Sequence, residues 1–245
     1  MRRWLWALAC LAVLNAGAEE RKYAVMSLIG DGLLIVYRDI STGTNLDKNS
    51  RNFAPFNNPA LDNATLLAID EAIQRSDRQA TTILLGGRPA LFALQSRGLD
   101  QDGDGLTPVL PEIRPIAQKA GATHLIIVTK HRDEARIRMF DGTSGAGRIE
   151  GLGFYLDQNA LMQNKKTGEG TQGYIAPFAY FALSLVDLAD GKVLSRELVR
   201  ESFALVSQKA AVPWNALTAE RKAQVLLDII RRETQRAVPL LLAKP

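Results

Sequence analysis

The residues best suited to chemistry in this chain are Asp100-Gln101-Asp102-Gly103-Asp104-Gly105. Carboxylates at the first, third and fifth positions, with glycine at the sixth, match the opening half of a calcium loop. A hard cation gathers roughly six to eight oxygens, and alternating aspartates on a turning backbone converge on one point. The twelfth position is Pro111 and Glu112 comes one place late, so the carboxylate that usually closes such a loop is out of register. Calcium, held by Asp100, Asp102 and Asp104, is the one cofactor the sequence suggests, and it would brace the loop without catalysing. A solvated acidic turn is the competing reading.

Signals for catalysis are thin, and no residue is assigned a catalytic role. His124 and His131 are the only histidines. Their odd spacing along one strand puts them on opposite faces, which argues against a shared metal or acid–base site and for a structural role for each. Gly142-Thr143-Ser144-Gly145-Ala146 approaches the Gly-x-Ser-x-Gly elbow of serine hydrolases, but it ends in alanine and lacks a strand-to-helix setting. Gly145, Gly147, Gly151 and Gly153 do not follow phosphate-loop spacing, and a strand-like stretch comes after them; they suit bulges or a close backbone approach. The pairs Asp70-Glu71 and Asp133-Glu134 read as solvated charge. A hydrolytic centre would have to assemble from residues distant in sequence, such as Asp31, Asp39 and His131. Tyr174, Phe178, Tyr180 and Phe181 concentrate aromatics at the start of a hairpin, and Trp214 precedes the last helix. Such a group is either core or a contact patch, and Tyr174, Phe178 and Tyr180 are the candidate partner-binding residues.

The N-terminus sets the compartment. Arg2 and Arg3 precede an apolar run from Trp4 to Leu14, followed by Asn15-Ala16-Gly17-Ala18 and then Glu19-Glu20. This is the order of a secretion signal cut after Ala18, and the apolar run is short of the roughly 20 residues a membrane helix needs. A lipoprotein reading through Ala7-Leu8-Ala9-Cys10 leaves a shorter apolar core. The expected organisation is a signal peptide over residues 1–18 and a single periplasmic domain over 19–245, with secretion beyond the envelope as the variant. Cleavage removes Cys10, the only cysteine, so no internal disulfide or thiol chemistry remains. The formal charge of +4 includes Arg2 and Arg3. No run of five like charges and no basic patch interleaved with aromatics occurs, so the footprint of a nucleic-acid binder is missing.

The elements that must position these residues follow from periodicity. Tyr23–Ile29 and Leu33–Tyr37, apolar on both faces and separated by Gly30-Asp31-Gly32, read as a central hairpin. Asp39 to Pro59 reads as a long polar loop anchored by Phe53 and Phe56. A helix is expected from an Asp62 or Asn63 cap to Ser76, a strand at Thr81–Leu85, a short helix at Pro89–Ser96, and a helix at Pro111–Ala120 ended by Gly121. Thr123–Lys130 is a strand expected to turn near Arg132-Asp133 and return as Ala135–Phe140. The segment Asp157–Gly173 reads as a polar mobile loop. Phe178–Leu188 and Val193–Phe203 flank the turn Ala189-Asp190-Gly191. A final helix runs from Ala219 to about Arg236, followed by a short apolar tail, Val238–Ala243. The fold class is α+β: a mixed, largely antiparallel sheet packed against helices in a single layered domain.

Two stretches carry a family likeness. Ala120-Gly121-Ala122-Thr123-His124-Leu125-Ile126-Ile127-Val128 and Ala182-Leu183-Ser184-Leu185-Val186-Asp187-Leu188-Ala189-Asp190-Gly191-Lys192-Val193-Leu194 resemble the pattern of periplasmic domains related to the curli secretion lipoprotein and the outer-membrane activators of penicillin-binding proteins. The resemblance implies a non-enzymatic module of the bacterial cell envelope that binds protein partners. The expected function is therefore an exported binding or assembly module acting through protein contacts, with no transmembrane segment in the mature chain. A periplasmic hydrolase is the alternative.

Overall fold

The computed structural model describes residues 21–39, 47–56, 58–101, 103–163, 170–206 and 212–243. The segment expected to be the signal peptide lies outside the described residues. The strands are β1 (Lys22–Leu28), β2 (Gly32–Tyr37), β3 (Ser50–Pro55), β4 (Thr81–Leu85), β5 (His124–Lys130), β6 (Arg132–Glu134), β7 (Ile137–Arg138), β8 (Thr143–Ser144), β9 (Arg148–Gln163), β10 (Gly170–Asp187) and β11 (Val193–Ser202). The helices are α1 (Ala60–Ser76), α2 (Pro89–Asp100), α3 (Leu110–Lys119) and α4 (Ala219–Leu242), with a 3-10 turn at Pro213–Ala216. The fold is mixed α+β, and most strand pairs are antiparallel.

The long strand β10 organises the sheet. Its residues Phe181–Asp187 pair with β5, its residues Gly170–Tyr180 pair with β9, and β11 pairs with Phe178–Val186. A strand has only two edges, so β5 and β9 must lie end to end along one edge of β10 while β11 takes the other. The next column repeats the arrangement, with β1 parallel beside β5 and β2 parallel beside β9. Outside these lie β4, parallel to β1, and β3, antiparallel to β2. Two half-sheets thus share β10 as their common strand.

This geometry corrects the expected opening hairpin. β1 and β2 never pair; they run in the same direction, one continuing past the end of the other. Neither Gly30 nor Gly32 adopts the positive φ that a tight hairpin turn demands. Gly30 is there for space: a Cβ on it would lie 2.7 Å from the Asp62 carboxyl. Gly153 serves the same need between the half-sheet strands, because a Cβ there would lie 1.8 Å from the Leu34 carbonyl oxygen.

The two faces of β10 read alternately, as strand geometry requires. Ala179, Phe181, Leu183 and Leu185 pack with β1, β5, α1 and α4. On the opposite face, Val186 joins Met26 and Ile127 under α2 and α3, giving helix, sheet and helix layers over this half. In the other half, Tyr174, Ala176, Phe178 and Tyr180 lie beneath the excursion that carries Ala135, Ile137 and Ile149. Its reverse face is closed by Val225 and Leu226 at the start of α4, with Trp214 packed against them. α4 therefore crosses both halves. Thr218 caps it by accepting a bond from the Arg221 amide, and its apolar stripe continues through Val238 to Leu241. The tail expected beyond Arg236 is thus the helix's last turns, and each fully buried Val or Leu there contributes about 1.5–3 kcal/mol.

Three further expectations change. The polar loop from Asp39 contains β3, an edge strand that pairs throughout with β2. Residues 157–163 and 170–173 of the expected mobile loop belong to β9 and β10, with Gly170–Gln172 paired to Leu161–Gln163 and a register shift before Tyr174 pairs with Asp157. β5 does not return as a hairpin: β6 pairs instead with the first residues of β9.

Candidate functional site

The Asp-rich turn binds arginines. Arg132 donates to the Leu99 carbonyl at 2.8 Å and to Asp100 at 3.1 Å. Arg196 spans both Asp104 oxygens at 2.7 and 2.9 Å, the fork geometry that suits a carboxylate. The turn is thereby tied to β6 and β11. Asp102, the third candidate calcium ligand, lies outside the described residues.

Tyr174, Phe178 and Tyr180, expected as a contact patch, are 1%, 0% and 1% exposed. Their rings fill the space under residues 135–149, and their polar ends hold that segment in place. The Tyr180 hydroxyl accepts from the Arg136 amide at 3.2 Å, and the Tyr174 hydroxyl lies 3.4 Å from the Ser144 hydroxyl. Tyr155 joins them, accepting from the Ala146 amide at 3.0 Å, and burial pushes its hydroxyl up to about 12. These aromatics present no surface, since a buried Tyr finds its partner inside the protein. The residues that a distributed hydrolytic centre would use are engaged separately. Asp31 binds Lys130 at 2.7 Å, His131 faces Asp133 at 3.6 Å, and the exposed Asp39 donates its amide to Asn49 at 3.4 Å.

The structure instead directs attention to a crevice of about 560 Å3 where β1 and β4 end and α1 and α2 begin. In sheets with parallel strands, the carboxyl ends of the strands are the usual place for a ligand. Here the crevice exists because β1 stops at Leu28, its partner β4 stops at Leu85, and the chain leaves through Gly86-Gly87 into α2. Gln95 of α2 fixes this end of the sheet: fully buried, it donates to the Leu28 carbonyl and accepts from the Lys130 amide, each at 2.8 Å.

Phe53, Phe56, Phe92 and Leu66 form apolar walls. Phe53 and Phe56 keep 45% and 40% of their surface exposed, which is unusual for side chains of this size and marks them as accessible. Asp31 and Asp62 supply the carboxyls. Asp31 is neutralised by Lys130, whose ammonium also lies 5.0 Å from the centre of the Phe53 ring. Asp62 sits in the first turn of α1 and holds the link between β1 and β2. Its Oδ1 accepts from the Ser27 hydroxyl at 2.6 Å, the Ile29 amide at 3.1 Å and the Gly30 amide at 3.0 Å. Its Oδ2 accepts nothing among the described residues. Burial pushes this carboxyl above its ordinary value, the three donated bonds opposing.

A second cleft, of about 290 Å3, is lined by Arg51, Arg132, Arg148 and Glu150. Ion pairs of Arg51 with Asp47 and of Arg132 with Glu150 already occupy its charges.

Sequence reading passed over the crevice. It took Asp62 for a helix cap, whereas the helix begins earlier, after Pro59, and Asp62 reaches back across the sheet end. The one local signal was the pair of phenylalanines among Pro and Asn at residues 53–59.

No family model and no curated protein matches the chain. Among solved structures it is similar to a Xanthomonas campestris protein of family DUF330, with a TM-score of 0.42 and 10% identity over 91% of this chain and 84% of that one. It is also similar to the LpoB C-terminal domain from Salmonella enterica, with a TM-score of 0.23 and 10% identity over 76% and 83% of the two chains. For PelC from Paraburkholderia phytofirmans, solved as a dodecamer, the TM-score is 0.27 and the identity 10% over 87% and 90%. At these TM-scores the likenesses are weak; they include a domain of an outer-membrane activator of penicillin-binding proteins, one of the groups that the two stretches of sequence resemble.

Proposed function

We propose that this protein is an exported binding module of the bacterial cell envelope that captures a protein partner at the crevice between α1 and α2. The observation that carries the reading is the composition of that crevice. Accessible phenylalanines wall it, Asp31 is paired with Lys130, and Asp62 commits its Oδ1, though not its Oδ2, to the β1–β2 link. Such a site offers contact area and orientation, which is what recognition needs; general acid–base work needs a group free to move a proton at a substrate. The neighbouring β4 ends the strand order among the described residues on this side, the position at which an incoming strand extends a sheet. No helix among the described residues is long and apolar enough to cross a membrane.

The test is photo-cross-linking in cells that make the full chain, with the reactive group placed at Phe56 or, as a control on the far edge, at Leu198, which is 42% exposed. Gly86→Leu provides the blocking variant, because Gly86 lines the crevice and a Cβ there meets nothing within 4 Å, so bulk can be added at its rim. One envelope protein cross-linked from Phe56, absent from Leu198 and lost with Gly86→Leu, is the expected result. The same products from both positions, unaffected by the block, remove the reading.

A further inference from the structure

We infer that the crevice receives the cationic side chain of a lysine or arginine, carried on an extended segment of the partner; this rests on the binding reading above. The first ground is Asp62. The residue is 7% exposed, its Oδ1 is committed to three donors, and its Oδ2 has none among the described residues, yet the carboxyl lines the crevice. A carboxylate oxygen that the chain itself leaves unpaired beside apolar walls is best met by a charged donor, whose bond to it is shorter and stronger than a neutral one.

The second ground is a precedent inside the molecule. Lys130 places its ammonium 2.7 Å from Asp31 and 5.0 Å from the centre of the Phe53 ring. One carboxylate and one ring of this wall thus already hold a cation, an arrangement that favours ammonium and guanidinium groups. Asp62 with Phe56 and Phe92 presents a second carboxyl and further rings, and among the described residues no lysine or arginine lines the crevice to use them.

The third ground is access. An incoming strand that paired along the outer edge of β4 would bring its side chains to the strand's end, where Gly86 leaves the entrance open. Backbone pairing would supply affinity, and the crevice would select the side chain. An anionic side chain would meet Asp62 and be rejected.

The experiment uses nitrogen-15 spectra of the full chain titrated with three capped tripeptides: acetyl-Val-Lys-Val-amide, its Nε-acetyl-lysine form, and acetyl-Val-Glu-Val-amide. The lysine peptide is expected to shift the amides of Gly30, Gly86 and Gly87 saturably. Acetylation of the lysine should weaken it about tenfold or more, since the loss is that of a charge-assisted bond. The glutamate peptide should not bind. Asp62→Asn, which keeps Oδ1 as an acceptor, should weaken the lysine peptide by a similar factor. Gly86→Leu, which leaves Asp62 and its bonds in place, should abolish binding, so the inference stays testable even if Asp62→Asn folds poorly. Equal binding of all three peptides, blocked by Gly86→Leu, would overturn the choice of a cation and leave the crevice as a binding site. Undiminished lysine-peptide affinity in folded Asp62→Asn would do the same. If no peptide shifts these amides, the inference and the binding reading both fall.

Discussion

Asp62 and His131 are perturbed by burial in opposite senses, and their contributions to stability must run oppositely with pH. Burial raises Asp62 above its ordinary 3.8, so the folded state holds that proton more tightly than the unfolded chain. Its contribution is fully present below 3.8 and is lost as pH climbs through the raised value. Burial, with Arg200 second, lowers His131 below 6.5, so the unfolded chain takes up a proton first. Its contribution is present above 6.5 and declines as pH falls toward the lowered value. Denaturant melts across this range should therefore show Asp62→Asn removing a downward slope on the acidic side, and His131→Asn removing an upward slope just below 6.5. Unchanged slopes in both variants would mean that neither group is shifted by its surroundings. The strand spacing expected for the two histidines does not apply, because β5 ends at Lys130, one residue before His131; the role of Asp62 was not legible, because the donors it satisfies stand 32 to 35 positions away.

The Asp-rich turn shows how an element can share a motif and differ in its occupant. The spacing of Asp100, Asp102 and Asp104 suits calcium, but Arg132 and Arg196, both from strands distant in sequence, reach the outer two carboxylates. An ion would have to displace a guanidinium that makes two bonds to Asp104, at 2.7 and 2.9 Å. Millimolar calcium is therefore expected to leave the melting temperature of the parent unchanged and to raise it in Arg196→Ala, where Asp104 is released. A marked rise in the parent would show that the turn, Asp102 included, does assemble around the ion. The helices were readable from their periodicity because each buries a local stripe. Strand partners were not, since Gly30-Asp31-Gly32 has the composition of a hairpin turn whether the chain reverses or runs straight on. Likewise the composition of residues 157–163 masked a ladder, because its first residue, Asp157, is a buried carboxylate held by Arg38 and not a solvated one.

For the molecule as a whole, the question is whether two half-sheets laid end to end unfold together. β10 pairs with β5 in one half and β9 in the other, and α4 packs on both, through Val225 and Leu226 at one end and Ile229 to Leu241 along the rest. No boundary between the halves is free of a continuous element, so disrupting one half strips β10 and α4 of contacts that the other needs. From Glu19 onward Trp214 is the only tryptophan, and it packs edge-on against Phe154 with ring centres 5.7 Å apart, within the β9 half. Helical circular dichroism draws on α1, α2 and α3, which cover the β5 half, and on α4, which crosses both. On chain cleaved after Ala18, fluorescence and circular dichroism should report coincident denaturation curves, and Phe181→Ala, at the junction on β10, should shift both midpoints by the same amount. Curves that separate, with fluorescence leaving the helical signal behind, would show that each half is its own cooperative unit. The crevice, lined by Phe53 and Pro55 of β3 as well as by α1 and α2, would then lie between two units, and partner binding would couple them.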